Sequence, residues 1–177
     1  MDPRAQAFDD LVGEVYRPVL RYLLRRTDAA TADDVLGDTL LVLWRRFGDV
    51  PGEARLAWCL GVARGCLANQ VRGERRRRLL TGRLADAART AAEPRTDAAL
   101  DEALDRLREA DRELLRLWAW EQLPPREIAV VLGISPNATS IRLHRAVGKL
   151  RAQLEGRKSG PVAGHLPGRQ DREARDA

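Results

Sequence analysis

The chain has 177 residues, 44% of them hydrophobic and 32% charged, with 31 Lys or Arg against 26 Asp or Glu and a net charge of +5. That apolar fraction is enough to build a core, and the length suits one large domain or two small ones. No run approaches the ~20 consecutive apolar residues that a membrane-spanning helix needs. The start, Met1-Asp2-Pro3-Arg4 and then Phe8-Asp9-Asp10, is too polar for a secretory leader, so a cytoplasmic protein without membrane insertion is expected.

No segment sustains the period-two alternation of a strand, whereas spacings of three and four recur throughout, so the expected fold class is all-α. Phe8, Leu11, Val15, Val19 and Tyr22 or Leu23 trace one stripe of a first helix over 6–26. Thr31, with Asp34 three residues on, is the expected N-cap of a second helix, whose stripe is Leu36, Leu40, Leu43 and Phe47. Gly48 to Gly52 breaks it. A third helix spans Ala54 to Arg78, with Trp58, Val62 and Leu67 as core residues and a basic end from Arg72. These three helices make a first domain, 6–78.

Periodicity fades over 79–97, which reads as a flexible linker. A second helical domain, 98–155, begins with the stripe Leu100, Leu104 and Leu107. Next comes a helix started by Asp111 and carrying Leu114, Leu115, Leu117 and Trp118. Pro124-Pro125 opens a short helix to Leu132, since proline loses nothing in a first turn. Gly133 suits a left-handed cap, and Ser135-Pro136 reads as N-cap and first residue of a last helix to Leu154. The tail 156–177 is Gly, Pro and charge and is expected to be disordered.

Cys59 and Cys66 are seven apart, a spacing for two turns of one helix face rather than a metal or redox clamp, and neither His144 nor His165 lies within helical reach of them. No metal site and no cofactor is expected. There is also no Gly-rich phosphate loop and no Ser-His-Asp set, so the chain does not read as an enzyme.

The charge is unevenly placed. Residues 28–44 carry Asp28, Asp33, Asp34 and Asp38 and no base, while 64–78 carry six arginines against Glu74. Asp34 and Asp38 lie four apart on one helix face that continues to Leu41. No neighbouring group makes an acid–base site of them; a docking surface for a partner's arginines explains the absence of bases. Arginines interleaved with Asn69 and Gln70 on the third helix suit phosphate contact plus base-edge hydrogen bonding.

The short helix, Gly-containing turn and longer helix over 126–150 are the parts of a helix-turn-helix, with the small Ala129 where the helices cross. On the longer helix Thr139, Leu143 and Leu150 face inward, and Ala138, Arg142, Arg145 and Lys149 form an outer face with three cations. Asn137, Ser140 and Ile141 lie near its N-terminus, the end that reaches base edges in such motifs.

Three segments together resemble a known family. Ala32-Asp33-Asp34-Val35-Leu36-Gly37-Asp38-Thr39-Leu40-Leu41-Val42-Leu43-Trp44-Arg45, Trp58 to Gly65 with Asn69-Gln70-Val71-Arg72, and Glu127 to Ser135 with Arg142-Leu143-His144-Arg145-Ala146 resemble, in order and spacing, signatures of bacterial sigma factors of the extracytoplasmic-function group. The resemblance covers roughly 8–154. It implies two small helical domains and three roles. Asp34, Asp38 and Leu41 would dock on core RNA polymerase. Arg64, Asn69, Arg72, Arg75 and Arg76, with the loop Gly48 to Glu53, would capture and open the promoter −10 element. Asn137, Ser140, Ile141, Arg142, Arg145 and Lys149 would read the −35 element. An anti-sigma factor is a common further partner in that family. Gly37, Gly65 and Asn69 depart from its pattern, which has Gln, Asn and Asp there. The competing expectation is a conventional helix-turn-helix regulator that binds duplex DNA without polymerase, which leaves the acidic face unexplained.

Overall fold

The computed structural model describes residues 2–80 and 98–158, and among them there is no strand. In chain order the helices are α1 (Pro3–Leu24), α2 (Ala29–Arg45), α3 (Arg55–Leu80), α4 (Ala98–Asp105), α5 (Glu109–Ala119), α6 (Pro125–Leu132) and α7 (Pro136–Lys158). A single 3-10 turn, Phe47–Asp49, follows α2. Most of the expected linker and tail, 81–97 and 159–177, lies outside the described residues. Their flanks are helical: α3 continues through residues 79–80 and α7 through 156–158.

Local chemistry explains most boundaries. The polar start is a cap, with the Arg4 amide donating to Asp2 Oδ1 at 2.9 Å and Pro3 at the first helical position. Thr31 does not cap α2. Asp28 does, because its carboxylate sits three residues ahead and accepts from the Thr31 amide at 3.0 Å and the Thr31 hydroxyl at 2.8 Å. Those bonds hold the Asp28 carboxyl below the usual carboxylate range. Likewise Asp111 does not start α5; the helix begins at Glu109, and Asp111 is bound to Lys149 of α7.

The interior of α3 also departs from expectation. Ala57, Cys59, Leu60 and Ala63 are fully buried, whereas Trp58, Val62 and Leu67 are half-buried. The helix is covered by α1 and α2 on one side and by α6 on another, so its buried surface wraps around it instead of forming one stripe. Small residues let these neighbours approach.

One apolar core runs through the whole body. Val15, Val19, Tyr22 and Leu23 of α1 and Val35 and Leu43 of α2 belong to the same cluster as Leu114, Leu117, Ile128, Leu143 and Ala146 of the C-terminal helices. The helix-turn-helix forms as its sequence dictates. Gly133 takes φ 66°, Ser135 Oγ accepts from the Ala138 amide at 3.2 Å, and Thr139 is fully buried, its hydroxyl donating to the Ser135 carbonyl. Leu143 is buried with it, Leu150 half-buried. Ahead of it, the buried Arg112 guanidinium donates to the carbonyls of Leu104 (3.0 Å) and Asp105 (2.8 Å), satisfying groups that the end of α4 leaves open.

Candidate nucleic-acid interface

On α2, successive turns place Asp34, Asp38 and Leu41 on the exposed face while Thr39 points into the core, its hydroxyl donating to the Val35 carbonyl at 2.7 Å. Leu41 keeps 55% of its surface exposed, unusual for a leucine in a helix that buries Leu36 and Leu43 so completely. Trp44, one turn further, stands edge-on to Phe8 with centroids 5.0 Å apart, and the Arg4 guanidinium lies 4.9 Å from its ring centroid.

A groove of about 290 Å³ runs between α2 and α3, lined by Asp38, Leu41, Val42, Arg45, Cys66, Asn69 and Gln70. It joins two residue sets that the sequence treats separately. Asp38 and Leu41 form one wall, and Asn69, which borders the arginine stripe of α3, forms the other. Asn69 is itself braced by Arg72, whose guanidinium donates to its side-chain oxygen.

Along α3, Arg64, Asn69, Arg72, Arg75 and Arg76 are all exposed. At ~100° per residue, Gly61, Arg64, Arg72 and Arg75 share one face, bordered by Asn69 and Arg76. Glu74 is the one acid of this stretch and pairs with Arg78 at 3.8 Å. The remaining like charges at i,i+4 spacing repel mildly, a repulsion that a polyanion removes.

On α7, Asn137, Ser140, Ile141, Arg142 and Arg145 project from one exposed surface at the start of the helix, with Ile141 45% exposed. The Ser140 hydroxyl donates back to the Pro136 carbonyl at 3.1 Å. Lys149 is placed differently from its expected companions: its ammonium lies 2.5 Å from Asp111 Oδ2. No ion pair engages Arg142 or Arg145 among the described residues.

The pairing between the two groups of helices is absent from any sequence reading. The Arg26 guanidinium donates to Glu113 at 3.0 Å and to Glu121 at 3.2 Å, and Arg25 donates to Glu121 at 3.2 Å. Arg26 and Glu121 retain 6% of their side-chain surface, and Glu113 12%. The Tyr22 hydroxyl donates to Glu113 at 3.1 Å, and burial, reinforced by that carboxylate, pushes the phenol far above its ordinary pKa. Nearby, Gly61 of α3 meets the α6 backbone: a Cβ there would lie 3.6 Å from the Val131 Cα and carbonyl oxygen. The only hint in the sequence is the adjacent Arg25-Arg26 at the end of α1, and nothing local says that their partners lie about 90 residues away.

Both cysteines are free thiols, Cys59 fully buried in the core and Cys66 half-buried on the groove wall. Burial pushes Cys59 up to about 12 and raises Cys66 as well, which favours the protonated thiol at both.

The chain matches the family of sigma-70, region 4, over residues 97–150. It is 36% identical over 153 residues to the ECF RNA polymerase sigma factor SigL of Mycobacterium tuberculosis, covering 76% of this chain and 81% of that one. It is 31% identical over 160 residues to the RNA polymerase sigma factor CarQ of Myxococcus xanthus, covering 86% and 92%. In fold it is similar to the sigma factor RpoE of Bartonella quintana, solved with the anti-sigma factor NepR, at a TM-score of 0.64 and 20% identity over 85% of this chain and 98% of that one. Two helical groups, a helix-turn-helix with a basic outer face, and relatives matched across most of their length converge on one assignment: the chain belongs to the ECF RNA polymerase sigma factors.

Proposed function

We propose that this sigma factor docks on core RNA polymerase through Asp34, Asp38 and Leu41, captures −10 DNA along Arg64, Asn69, Arg72, Arg75 and Arg76, and reads the −35 element with Asn137, Ser140, Ile141, Arg142 and Arg145. The helices α1–α3 serve the first two roles and α4–α7 the third. The observation that carries the reading is the groove between α2 and α3, where the exposed Asp38 and Leu41 face Asn69 beside the arginine stripe. Polymerase contact and single-strand capture then occur on adjoining surfaces, so binding one prepares the other. Extracting a base from the stack costs a few kcal/mol, which arginine–phosphate contacts and polymerase binding offset. The contribution is made by binding, not by catalysis.

On α7 the chemistry suits the major groove. Arg142 and Arg145 supply forked donors for guanine edges or phosphates, and the exposed Ile141 supplies an apolar contact for a thymine methyl. Lys149, held by Asp111, contributes least. An anti-sigma factor, the class of protein bound to the Bartonella RpoE, is the third partner in this reading.

Reconstitution with core polymerase, followed by sequencing of transcript 5′ ends, tests the reading. The expected result is initiation at a defined set of promoters that share −35 and −10 motifs. A strong sequence-specific footprint from the free protein, with no association with polymerase, favours the conventional regulator and overturns this one.

A further inference from the structure

We propose that Arg46 is the positioning residue of the loop Gly48 to Glu53: its guanidinium, shared between Asp49 and the Trp58 ring, holds that loop in its DNA-receiving form before a strand arrives. The inference rests on the functional reading above for what the loop meets, whereas the brace itself is a property of the fold.

The loop is short and tied down at several points. Arg46 is the C-cap residue of α2, where the chain leaves the helix at φ −106° and ψ 22°. Phe47 then stands edge-on to Phe8 of α1, with centroids 5.8 Å apart. The Asp49 amide donates to the Arg46 carbonyl at 2.8 Å, and the Val50 amide to the Phe47 carbonyl at 3.3 Å. At the far end Ala54 holds φ 56°, a left-handed backbone that a residue other than glycine keeps only where its surroundings enforce it. Its carbonyl accepts from the Trp58 amide at 3.0 Å and so starts α3.

Arg46 connects these two ends. Its Nε donates to Asp49 Oδ2 at 2.9 Å, and its guanidinium carbon lies 5.2 Å from the centroid of the Trp58 ring in the first turn of α3. One side chain thereby reaches from the exit of α2, across the loop, to the entry of α3. Arg46 and Asp49 keep 54% and 59% of their side-chain surface, and an ion pair so exposed adds little to global stability. What it fixes is the course of the chain between the helices, with the exposed Gly52 and Glu53 at the tip.

The loop also lies in line with the basic stripe. Arg64 follows the start of α3 by about two and a half turns, about 14 Å along the axis. That is the length of about four stacked nucleotides at ~3.4 Å each. A strand whose phosphates lie on Arg64 and Arg72 therefore meets the loop within a few nucleotides. A loop that DNA must order gives up binding free energy to that ordering; a loop already ordered does not. A cation here has a second reading, direct attraction of phosphate, and Asp49 separates the two. If Arg46 serves phosphate, removing Asp49 frees it and tightens DNA binding. If Arg46 braces the loop, removing Asp49 loosens the loop and weakens binding.

The test uses holoenzyme formed from the full chain and core polymerase, in the wild type, Arg46→Ala, Asp49→Ala and the double variant. The probes are a single-stranded oligonucleotide carrying the −10 motif of the mapped promoters and a duplex carrying only the −35 motif. Hydrogen exchange of the Asp49, Val50, Gly52 and Glu53 amides is read in the free chain, and circular dichroism verifies helicity. Each single variant is expected to exchange these amides at least about threefold faster. Each is also expected to bind the −10 oligonucleotide about tenfold more weakly, the equivalent of ordering about one residue anew on binding. The double variant is expected to match either single one, since all three cut the same tie. Affinity for the −35 duplex and the salt slope of −10 binding are expected to stay unchanged. Tighter −10 binding by Asp49→Ala, or a slope shallower by about one in Arg46→Ala, overturns positioning in favour of phosphate contact. Unchanged exchange overturns the brace, and faster exchange with unchanged −10 affinity overturns its part in capture. If exchange responds as expected but wild-type holoenzyme binds no −10 strand, the brace stands and the functional reading of α3 falls instead.

Discussion

The two long basic helices, α3 and α7, look alike in sequence and are made differently. Each offers a cationic face to solvent, α3 after a largely apolar first half and α7 from its second turn onward. The outer face of α7 is fixed locally: Gly133 turns the chain, Ser135 caps the helix, and buried Thr139 and Leu143 orient it within a few residues. The face of α3 is fixed from a distance. Its buried side wraps around to include α6, and its basic stripe begins one turn beyond the point where Gly61 meets the α6 backbone. A local motif presents its binding surface whatever the rest of the chain does. A surface set by distant packing is exposed to regulation by that packing.

The harshest test of this difference falls on the α3 side. Replacing Asp34 and Asp38 together by lysine reverses the charge of the exposed α2 face, of which Asp38 lines the groove opposite Asn69, while leaving the core untouched, since both residues are exposed. Several kcal/mol of like-charge repulsion against a basic partner corresponds to at least ~100-fold weaker association with core polymerase. Co-purification and a binding titration measure it; helicity and melting temperature are expected to stay within experimental error. Undiminished polymerase binding breaks the assignment of this face.

On the α7 side the effects are smaller and confined to one site. Arg142→Ala and Arg145→Ala, neither engaged in an ion pair among the described residues, are each expected to cost about 1–3 kcal/mol of −35 binding if bidentate to a base, with a salt slope shallower by about one. Holoenzyme binding to promoter fragments at several salt concentrations reads both quantities. If binding weakens equally for every promoter sequence, the contact is to phosphate; if preference is lost at one position, it is to a base.

Gly133 separates local from distant control again. It holds φ 66° with open space around its α-carbon, so alanine there meets no clash but a left-handed backbone that costs roughly 1–2 kcal/mol. Gly61→Ala, by contrast, makes an ordinary contact at 3.6 Å and is expected to leave stability nearly unchanged. Chemical denaturation of the two variants compares them directly.

The same division decides what the sequence discloses. The helix-turn-helix, its caps and its inward residues are written in short-range chemistry and are legible. The caps at Asp2 and Asp28 obey that chemistry too; Thr31 is misread as the α2 cap because both Asp28 and Thr31 are good capping residues, and the one whose carboxylate reaches the Thr31 amide takes the role. The two-sided burial of α3, the groove uniting Asp38 with Asn69, and the Arg26–Glu113–Glu121 network depend on which helices meet. Periodicity reports one buried stripe per helix and has no way to signal a second. Arg112 is hidden for a similar reason: an arginine in a charged helix reads as surface until the open carbonyls of α4 are placed beside it.

Lys149 gives the finest cut between the two kinds of control, because it belongs to the outward row of α7 yet is tied to α5. Its ammonium sits 2.5 Å from Asp111, with half of the lysine side chain exposed and most of the aspartate covered. Such a partly exposed pair is worth about 1 kcal/mol or less, so DNA can take the ammonium only by giving up a similar amount. Lys149→Ala is therefore expected to weaken −35 binding by less than Arg142→Ala and to flatten the salt slope by less than one. Asp111→Asn should do the reverse, freeing the ammonium and tightening DNA binding slightly at low salt. If Lys149→Ala instead matches Arg142→Ala, the pair with Asp111 is given up on DNA, and the row acts as one surface from Arg142 to Lys149.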